Sequence, residues 1–506
     1  MTISHHPSRG GRHGAGFAFW RLSANTVLQI SSQTLPLLAG AVAIPFIYKN
    51  IDSRDFGVFT LALSMLSLFS LLDLGLGRST VRFMSRALAD GDELKAASVA
   101  AHSAFLLGAV SLALALLFFA MVPSLVVHWF QTDDREQALR QSLYLLAIAL
   151  PICSLSAVFR SALEAREHFP VISGIQATFG SLTYMAPMLL SYSTNDIRVL
   201  IGVAVGCRGL ALLAFVIAAR RTWSSAFPWC SLQQRMEPEF LRFSLWLVLS
   251  NLLGAAILYG DRALLVKVFG LELIPFYNVP LEMLSRFMIV VTAAATVAFP
   301  VLSRLANNED FFGNAYIALM TLASALLGIG LVAVSVFAAV GLDMWLGEEF
   351  RDKSTDIVRI LLVGLAFQGM NTLSMMALNA RGFARPVTLM HVTEVPLYFG
   401  LLYVGSRYFG LVGVAAVWSG RQFLEYVCFA GFQMFIGREG GMWRRQGIGA
   451  ALGASTTIPL VLALDSTPTA MVACAVFTAL VLCWAVPTLR NEYQQRQARH
   501  ERPTSE

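Results

Sequence analysis

The sequence predicts an all-α polytopic membrane protein with about fourteen transmembrane helices, arranged as two six-helix lobes related by a parallel repeat plus two extra C-terminal helices. Three observations support this fold class: the composition, the spacing of apolar stretches and an internal repeat. Of the 506 residues, 56% are hydrophobic and only 13% are charged, and the mean hydropathy is +0.64. Soluble domains do not have this composition.

Long apolar stretches recur along almost the whole chain. A helix needs about 20 apolar residues to cross the hydrocarbon core of a bilayer, and we number the stretches of this kind as spans 1 to 14. They cover residues 22–48, 57–77, 96–122, 138–162, 169–193, 197–219, 241–266, 275–302, 313–342, 357–380, 385–406, 409–435, 446–464 and 468–489.

An internal repeat relates the first six spans to the next six. Residues 49–90 are weakly repeated at residues 267–308, and an Ala-Leu-x-Ala-Arg segment at Ala162 occurs again at Ala377. Both offsets pair each span with the sixth one after it, and an even number of spans per lobe makes the repeats parallel. A duplicated membrane bundle is typical of transporters, whose halves rock around a site between them.

The repeat and the loops together predict the domain organisation. The longest cytoplasmic connection links the lobes, and its Arg and Trp residues suit the membrane interface. We expect an N-terminal tail at 1–20, an N-lobe at 21–219 (spans 1–6), an interfacial linker at 220–240, a C-lobe at 241–437 (spans 7–12), spans 13–14 at 438–490, and a C-terminal tail at 491–506.

The distribution of basic residues predicts the orientation. Most of the 37 Lys and Arg residues lie in the two tails and in the loops that follow even-numbered spans. Because basic loops near short spans are retained on the cytoplasmic side, we expect both termini in the cytoplasm. The net charge of +6 therefore reflects membrane topology, and nucleic-acid binding is not predicted.

Motifs of common enzymes are absent from the sequence. It contains no GxxxxGK[ST] phosphate loop, no HExxH and no GxSxG, and its six cysteines have no CxxC spacing. No loop between spans exceeds about 20 residues, which leaves no room for a soluble catalytic domain. We expect no enzymatic activity, no catalytic or metal-binding residues and no bound cofactor.

Charged residues inside spans are the first candidates for function, because each costs several kcal/mol unless it faces a partner or water. Two pairs stand at i and i+4, Glu282 with Arg286 and Arg421 with Glu425. This spacing places each pair on one helix face. The competing interpretation is an ion pair that only neutralises its own helix. Further candidates are Asp73, Asp261 and Glu394.

Uncharged polar residues form stripes on several spans. Gln29 and Gln33 share a face of span 1. Asn251 in span 7 is the register mate of Gln33, and Asn371 lies in a similar stripe of span 10. Amides lining a path suit a ligand rich in hydroxyl groups better than a bare ion. Hydrogen bonding between membrane helices explains any one of these residues equally well.

Three arginines follow span 2. Arg78, Arg82 and Arg86 stand at i, i+4 and i+8, on one face of a short amphipathic helix. Such a face can hold a diphosphate by bidentate hydrogen bonds. It can equally rest on anionic lipid as an ordinary positive-inside segment, and we favour that second interpretation.

The residues resemble the Wzx-type polysaccharide-biosynthesis flippases, which belong to the multidrug/oligosaccharidyl-lipid/polysaccharide exporter superfamily. Four segments in the family's order carry the resemblance, and it covers nearly the whole chain. They are Asp73-Leu74-Gly75-Leu76-Gly77 with Arg82, then Asp261 with Gly270 and Tyr277-Asn278, then Phe299-Pro300 with Leu302-Ser303-Arg304-Leu305, and Gly410 with Gly413-Val414-Ala415-Ala416.

The resemblance implies a flippase of the bacterial inner membrane that moves an undecaprenyl-diphosphate-linked oligosaccharide from the cytoplasmic to the periplasmic leaflet. The polysaccharide polymerase and chain-length machinery would be partners. Arg286 and Arg78 would hold the diphosphate, with Glu282 and Arg421 beside the substrate. The sugar path would be lined by Gln29, Gln33, Asn251 and Asn371. A proton or sodium gradient would drive transport, with coupling or gating at Asp73, Asp261, Glu394 or Glu425.

Four alternatives stay open at this point. A multidrug and toxin antiporter usually has an acidic residue in helix 1, and span 1 contains none. A peptidoglycan-precursor flippase typically has arginines in helices 1 and 2, whereas span 1 is uncharged after Arg21. A polysaccharide polymerase would show a large periplasmic loop. A membrane scaffold would not need paired charges in the middle of its helices.

Overall fold

The computed structural model describes residues 32–71, 76–129, 136–222, 260–262, 264–289, 291–292, 294–295, 298, 302 and 309–436. Every regular element in these ranges is a helix, which confirms the all-α prediction. Helices suit a membrane because each one satisfies its own backbone hydrogen bonds without water. Span 13, span 14 and most of span 7 lie outside the described residues, so the count of fourteen stays a prediction.

Contacts divide the chain into two compact units. The N-unit comprises the chain up to Gly260 together with Gly270–Glu272, and the C-unit comprises Asp261–Phe269 and the chain from Leu273 onward. The lobe boundaries predicted from the sequence stay predictions. The N-unit helices are α1 (32–50), α2 (Ser53–Leu71), α3 (Leu76–Ala89), α4 (Glu93–Trp129), α5 (Glu136–Ala165), α6 (Phe169–Ser191) and α7 (Ile197–Thr222).

The C-unit begins with shorter helical segments and continues with three long helices. Its elements are α8 (260–262 and 264–269), α9 (Ile274–Ser285), α10 (the helical residues between 288 and 302), α11 (Glu309–Leu346), α12 (Glu348–Ala380) and α13 (Ala384–Ile436). Helix α12 packs against α9, α11 and α13, so it is the element that holds this unit together.

Six helices in the described part of the chain are long and apolar enough to cross a membrane. They comprise Glu93–Val127, Gln137–Ala165, Ile197–Thr222, Ala315–Leu346, Glu348–Ala380 and Pro386–Gln433. The protein is therefore a multi-pass membrane protein. Helix α12 starts before the predicted span 10 because its first turns are polar and paired by charge, as in the contact of Lys353 Nζ with Glu349 Oε1 at 2.8 Å.

The helix predicted after span 2 is present as α3. Its apolar side chains Phe83, Met84 and Ala87 are buried, whereas Arg82 and Arg86 are exposed. The buried face packs against α4 and α5, as expected for an amphipathic helix.

Helix α13 consists of two arms that meet at Gly410. The backbone there has φ 63° and ψ −149°, a conformation essentially reserved for glycine. The arms then approach closely, because a Cβ atom at Gly413 would overlap the backbone oxygen of Gly405. We call residues 384–409 the first arm and residues 411–436 the second arm. This break explains why spans 11 and 12 are separate apolar stretches in the sequence.

Candidate functional site

The first polar cluster of the C-unit is built around Asp261 on α8. We call it the Asp261 cluster, and its members are Asp261, Arg262, Tyr277, Asn278, Glu282 and Arg286. Asp261 is 1% exposed and Arg262 is 6% exposed. The Asp261 carboxylate accepts hydrogen bonds from Arg262 Nη1 at 3.1 Å and from the Tyr277 hydroxyl at 3.1 Å. A buried charge of this kind is stable only when it is paired and hydrogen-bonded.

Arg262 connects Asp261 with the polar face of α9. Its Nε donates to Asn278 Oδ1 at 3.0 Å, and its Nη2 lies 3.8 Å from Glu282 Oε2. Asn278, Glu282 and Arg286 follow one another at intervals of four residues, so they lie on one side of the helical path. The guanidinium of Arg262 thus contacts this polar face of α9 at both Asn278 and Glu282.

Arg286 is the most accessible charge of the Asp261 cluster. Its Nη2 donates to Glu282 Oε1 at 2.9 Å, and its side chain is 40% exposed. The predicted contact at i, i+4 is therefore present. Since Glu282 also approaches Arg262, the pair does more than neutralise its own helix. The cluster contains two carboxylates and two guanidinium groups, and its formal charge is zero.

Packing on α12 fixes the position of α9. The Ser354 hydroxyl donates to the backbone oxygen of Phe276 at 2.8 Å, and the rings of Phe276 and Phe350 have centroids 4.6 Å apart. Both contacts are next to Tyr277 in sequence. They hold the start of α9, so that the polar row of Asn278 and Glu282 faces α8.

The second polar cluster lies between α12 and the two arms of α13. We call it the Glu425 cluster, and its members are Asn371, His391, Glu394, Arg421, Gln422 and Glu425. Arg421 is 9% exposed. Its Nη1 lies 3.3 Å from Glu394 Oε1, and its Nη2 lies 3.8 Å from Glu425 Oε2. One guanidinium therefore serves two carboxylates.

Glu425 has two further partners. His391 Nε2 lies 2.9 Å from Glu425 Oε1. Asn371 Nδ2 lies 3.3 Å from Glu425 Oε2 and also donates to the backbone oxygen of Gln422 at 2.9 Å. The second predicted i, i+4 pair, Arg421 with Glu425, is thus part of a larger network and does not stand alone.

The Glu425 cluster has the atoms of a cation site. Ligand atoms of His391, Glu394 and Glu425 all lie within 4.8 Å of one another. However, the guanidinium of Arg421 already contacts both carboxylates. A metal ion would have to compete with this permanent positive charge, which cannot be removed by deprotonation.

Tyr398 lies against the Glu425 cluster. The Cζ atom of Arg421 is 5.3 Å from its ring centroid, a distance typical of a cation–π contact. Its hydroxyl group finds no hydrogen-bond partner among the described residues. We refer to the two clusters together with Tyr398 as the polar network of the C-unit.

The structure brings some of the predicted site residues together in the two clusters and leaves others outside them. It brings Asp261, Glu282 and Arg286 together in the Asp261 cluster, and Asn371, Glu394, Arg421 and Glu425 together in the Glu425 cluster. Gln33 is exposed on α1 in the N-unit. Gln29, Asp73 and Asn251 lie outside the described residues, and Arg78 belongs to α3 but its side chain is not described.

Six members of the network were absent from the predicted site: Arg262, Tyr277, Asn278, His391, Gln422 and Tyr398. Arg262 is next to Asp261 in sequence, and His391 precedes Glu394 by three residues, so both share a helix segment with a predicted residue. Their closeness in sequence to a predicted residue could therefore have indicated Arg262 and His391. No sequence feature indicated Tyr398, because a single tyrosine in an apolar stretch is ordinary for a membrane helix.

Comparison with known proteins identifies the family of this chain and a curated relative. The profile of the family described as "Polysaccharide biosynthesis protein" matches residues 22–306. A Shigella flexneri protein named "Putative O-antigen transporter" is 23% identical over 404 residues, which cover 79% of this chain and 95% of the relative.

Solved structures share the fold. The lipid II flippase MurJ in an inward closed conformation aligns with a TM-score of 0.66 at 14% identity, covering 93% of this chain and 99% of MurJ. An inward-facing multidrug resistance MATE family transporter of the MOP superfamily aligns with a TM-score of 0.63 at 14% identity, covering 84% of this chain and 98% of the transporter. Proteins with these names are transporters and flippases and not enzymes.

Proposed function

This chain belongs to the polysaccharide biosynthesis protein family, and from that premise we propose that it is a flippase for lipid-linked oligosaccharides. The substrate would be an undecaprenyl-diphosphate-linked oligosaccharide. It would move from the cytoplasmic to the periplasmic leaflet of the bacterial inner membrane for O-antigen, capsule or exopolysaccharide synthesis. The name of the Shigella relative and the MurJ-like fold support a substrate of this class.

Arg286 is the observation that carries the proposal. It keeps 40% of its side chain exposed, while Glu282 fixes its orientation from one turn away. A guanidinium presents a rigid fork of donors that fits the oxygens of a diphosphate. With Arg286 included, the two carboxylates and two guanidinium groups of the Asp261 cluster sum to zero, so an incoming diphosphate does not meet a surplus of negative charge there.

The finer features of the proposal come from the sequence. We propose that the protein has fourteen helices in two lobes, that both termini lie in the cytoplasm, and that transport occurs by alternating access as the lobes rock. Arg78 would join Arg286 at the diphosphate, and Gln29, Gln33, Asn251 and Asn371 would line the sugar path. Polymerase and chain-length proteins would receive the product. An ion gradient would drive the cycle, with Asp73, Asp261, Glu394 and Glu425 as coupling candidates.

The test is complementation of a strain in which the native gene is deleted. Arg286→Ala should lower surface polysaccharide at least about tenfold and cause lipid-linked oligosaccharide to accumulate, since a hydrogen bond to a charged group contributes about 1.5–3 kcal/mol. Arg286→Lys should restore only part of the export because it keeps the charge without the planar fork.

Arg407→Ala is the matched control, because Arg407 is an exposed arginine on the first arm of α13 that is not part of either cluster. It should export normally. Normal export by Arg286→Ala at wild-type protein level would overturn the proposed role of Arg286. Cell lysis upon deletion, without any loss of surface polysaccharide, would instead indicate a flippase for peptidoglycan precursors.

A further inference from the structure

Arg208 is a charged residue in the middle of a membrane-spanning helix of the N-unit. It lies on α7, which runs from Ile197 to Thr222 and is long and apolar enough to cross a membrane. More than about 15 Å of helix separates Arg208 from either end. At this depth an ionised side chain is costly unless it faces a counter-ion or water.

Helical geometry directs Arg208 toward the interior of the N-unit. Ala204 and Phe215 share its side of α7 because they lie four residues before it and seven after it, and both are buried. The opposite side of the helix carries the exposed side chains Leu210 and Leu213, which suit lipid. Helix α7 packs against α5 and α6. Arg208 is only partly buried, so its side chain reaches an opening beside these helices.

The described part of the N-unit provides no counter-ion for Arg208. The guanidinium makes no hydrogen bond or ion pair there, and its Nε atom is shielded from solvent. Over their described ranges, α1, α3, α6 and α7 contain no Asp or Glu. The acidic residues of the other described helices of this unit stand in a first or last turn, far from the middle of the membrane: Asp55, Glu93, Glu136 and Glu164.

A helix of the C-unit shows what an arginine at this depth requires. In the predicted repeat, span 6 pairs with span 12, which forms the second arm of α13 and contains Arg421. The guanidinium of Arg421 lies 3.3 Å from Glu394 Oε1 and 3.8 Å from Glu425 Oε2. Since α7 lacks comparable partners within the described ranges, we expect Arg208 to obtain its counter-ion from a ligand.

The surroundings of Arg208 fit a ligand group with a single negative charge. In the membrane-spanning helices of the N-unit, as far as they are described, every other Lys and Arg lies within five residues of a helix end. A diphosphate carries more than one negative charge, which a lone guanidinium cannot balance. A carboxylate carries one, and its two oxygens accept a bidentate pair of hydrogen bonds from a guanidinium.

The depth of Arg208 indicates which molecule brings this carboxylate. Headgroups of resident phospholipids lie in the interfacial regions of the bilayer, whereas a transported headgroup has to pass the middle of the membrane. Within that headgroup, the proposed function assigns the diphosphate to Arg286. The glycan remains, and a carboxylated sugar supplies the required group.

We propose that Arg208 binds a carboxylate of the transported glycan, and that the substrate is therefore an oligosaccharide with an acidic sugar of the uronic acid class. The inference rests on the proposed function and narrows its substrate. An acidic glycan neutralises Arg208 during passage. A neutral glycan leaves this charge uncompensated, so Arg208 selects for acidic substrates. No covalent bond forms or breaks.

The composition of the exported polysaccharide is the first test, and it needs no variant. Sugar analysis compares the surface polysaccharide of the wild type with that of a strain lacking this protein. The polysaccharide that disappears in the deletion strain should contain a carboxylated sugar. If it contains none, the inference is wrong.

Binding assays then locate the contact. Microscale thermophoresis of the full-length protein in detergent micelles compares two probes, undecaprenyl diphosphate and the lipid-linked oligosaccharide extracted from the deletion strain. Arg208→Gln should bind the lipid-linked oligosaccharide at least about tenfold more weakly than the wild type, since it loses hydrogen bonds to a charged group. Its affinity for undecaprenyl diphosphate should not change. Equal weakening toward both probes would place Arg208 at the diphosphate and contradict the inference.

Chemical reduction of the sugar carboxylates to hydroxymethyl groups tests which group is recognised. The wild type and Arg208→Gln should bind the reduced lipid-linked oligosaccharide equally well. A difference that persists after reduction would show that Arg208 recognises another group. Arg198→Gln is the matched control, because Arg198 lies on the same helix but is exposed and paired with Asp196. It should bind both unmodified probes like the wild type.

Stability without ligand gives an independent measurement. Because a charge without a counter-ion is unfavourable inside the bilayer, Arg208→Gln in lipid nanodiscs should unfold at the same temperature as the wild type or at a higher one. A lower unfolding temperature would show that the protein itself already supplies a counter-ion, and the proposed ligand contact would be excluded.

The wild-type affinities separate this inference from the proposed function. A wild-type protein that binds neither probe would contradict the proposed function itself. If the wild type binds both probes and Arg208→Gln binds them with the same affinities, only the contact with an acidic glycan is removed.

Discussion

The hydroxyl group of Tyr277 donates a hydrogen bond to Oδ2 of Asp261 at 3.1 Å. Tyr277 lies on α9 and is fully buried, so this bond joins two elements inside the C-unit. Tyr398 is equally buried, but its hydroxyl group has no such partner among the described residues. The two tyrosines are therefore a matched pair for an experiment, since both are buried and they differ in whether the hydroxyl group has a partner among the described residues.

Replacing the two tyrosines by phenylalanine should have different effects on stability. Tyr277→Phe removes a bond to a charged acceptor and should lower the free energy of unfolding by about 1.5–3 kcal/mol. Tyr398→Phe removes a buried hydroxyl group for which the described part of the chain offers no hydrogen-bond partner, and it should leave stability unchanged or slightly higher. Thermal unfolding midpoints in detergent provide the measurement. Equal losses in both variants would contradict the hydrogen-bond assignment.

Removing one partner of the buried pair Asp261–Arg262 should be costly. Arg262→Gln leaves Asp261 uncompensated and should destabilise the protein by about 3–5 kcal/mol. Adding Asp261→Asn to this variant should recover part of the loss, because the two charges depend on each other. The amount of monodisperse protein after heating gives the comparison. If the two losses simply add, the charges do not interact.

Close contact of the two arms of α13 should make one glycine intolerant of substitution. Gly413→Ala places a methyl group against the backbone oxygen of Gly405, and backbone atoms cannot rotate away as a side chain can. We expect reduced folded yield and export. Gly420→Ala is the control on the same arm, because a Cβ atom there meets nothing within 4 Å. Comparable yields of the two variants would show that the arms separate freely.

The proposed orientation can be tested on both sides of the N-unit. Arg166 Nη2 lies 2.5 Å from Glu93 Oε2, so the segment before α4 and the segment after α5 share one membrane side. In a background in which all six native cysteines are replaced by serine, Asp90→Cys and Glu167→Cys should react with a membrane-impermeant maleimide only in inside-out vesicles.

Asn195→Cys should react only in intact cells with a permeabilised outer membrane, because α4, α5 and α6 place it on the opposite side. Labelling is quantified by mass shift on a gel. The reverse pattern at all three positions would invert the topology inferred from the basic loops.

Local periodicity made part of the site predictable. Glu282 with Arg286, and Arg421 with Glu425, are separated by one helical turn, and both contacts are present at 2.9 and 3.8 Å. The amphipathic helix α3 was predictable for the same reason. Each of these statements requires only that the segment is helical, which an apolar stretch in a bilayer almost guarantees.

Contacts between residues far apart in the chain could not be predicted from the sequence. Arg421 with Glu394, His391 with Glu425, and the ring of Tyr398 under Arg421 all join residues more than twenty positions apart. Asn371 is a further example: we expected it on a sugar path, and the structure shows its amide bonded within the Glu425 cluster. Its role on a sugar path stays a prediction.

The sequence by itself determined the class of this protein, its helical segments and the charges that share a helix face, because hydrocarbon requires long apolar helices and a turn of 3.6 residues orders their side chains. Only the tertiary structure decided that one arginine serves two glutamates. That arrangement depends on how the arms of α13 fold back at Gly410 and pack on α12, and such crossings are set by the shapes of many side chains at once.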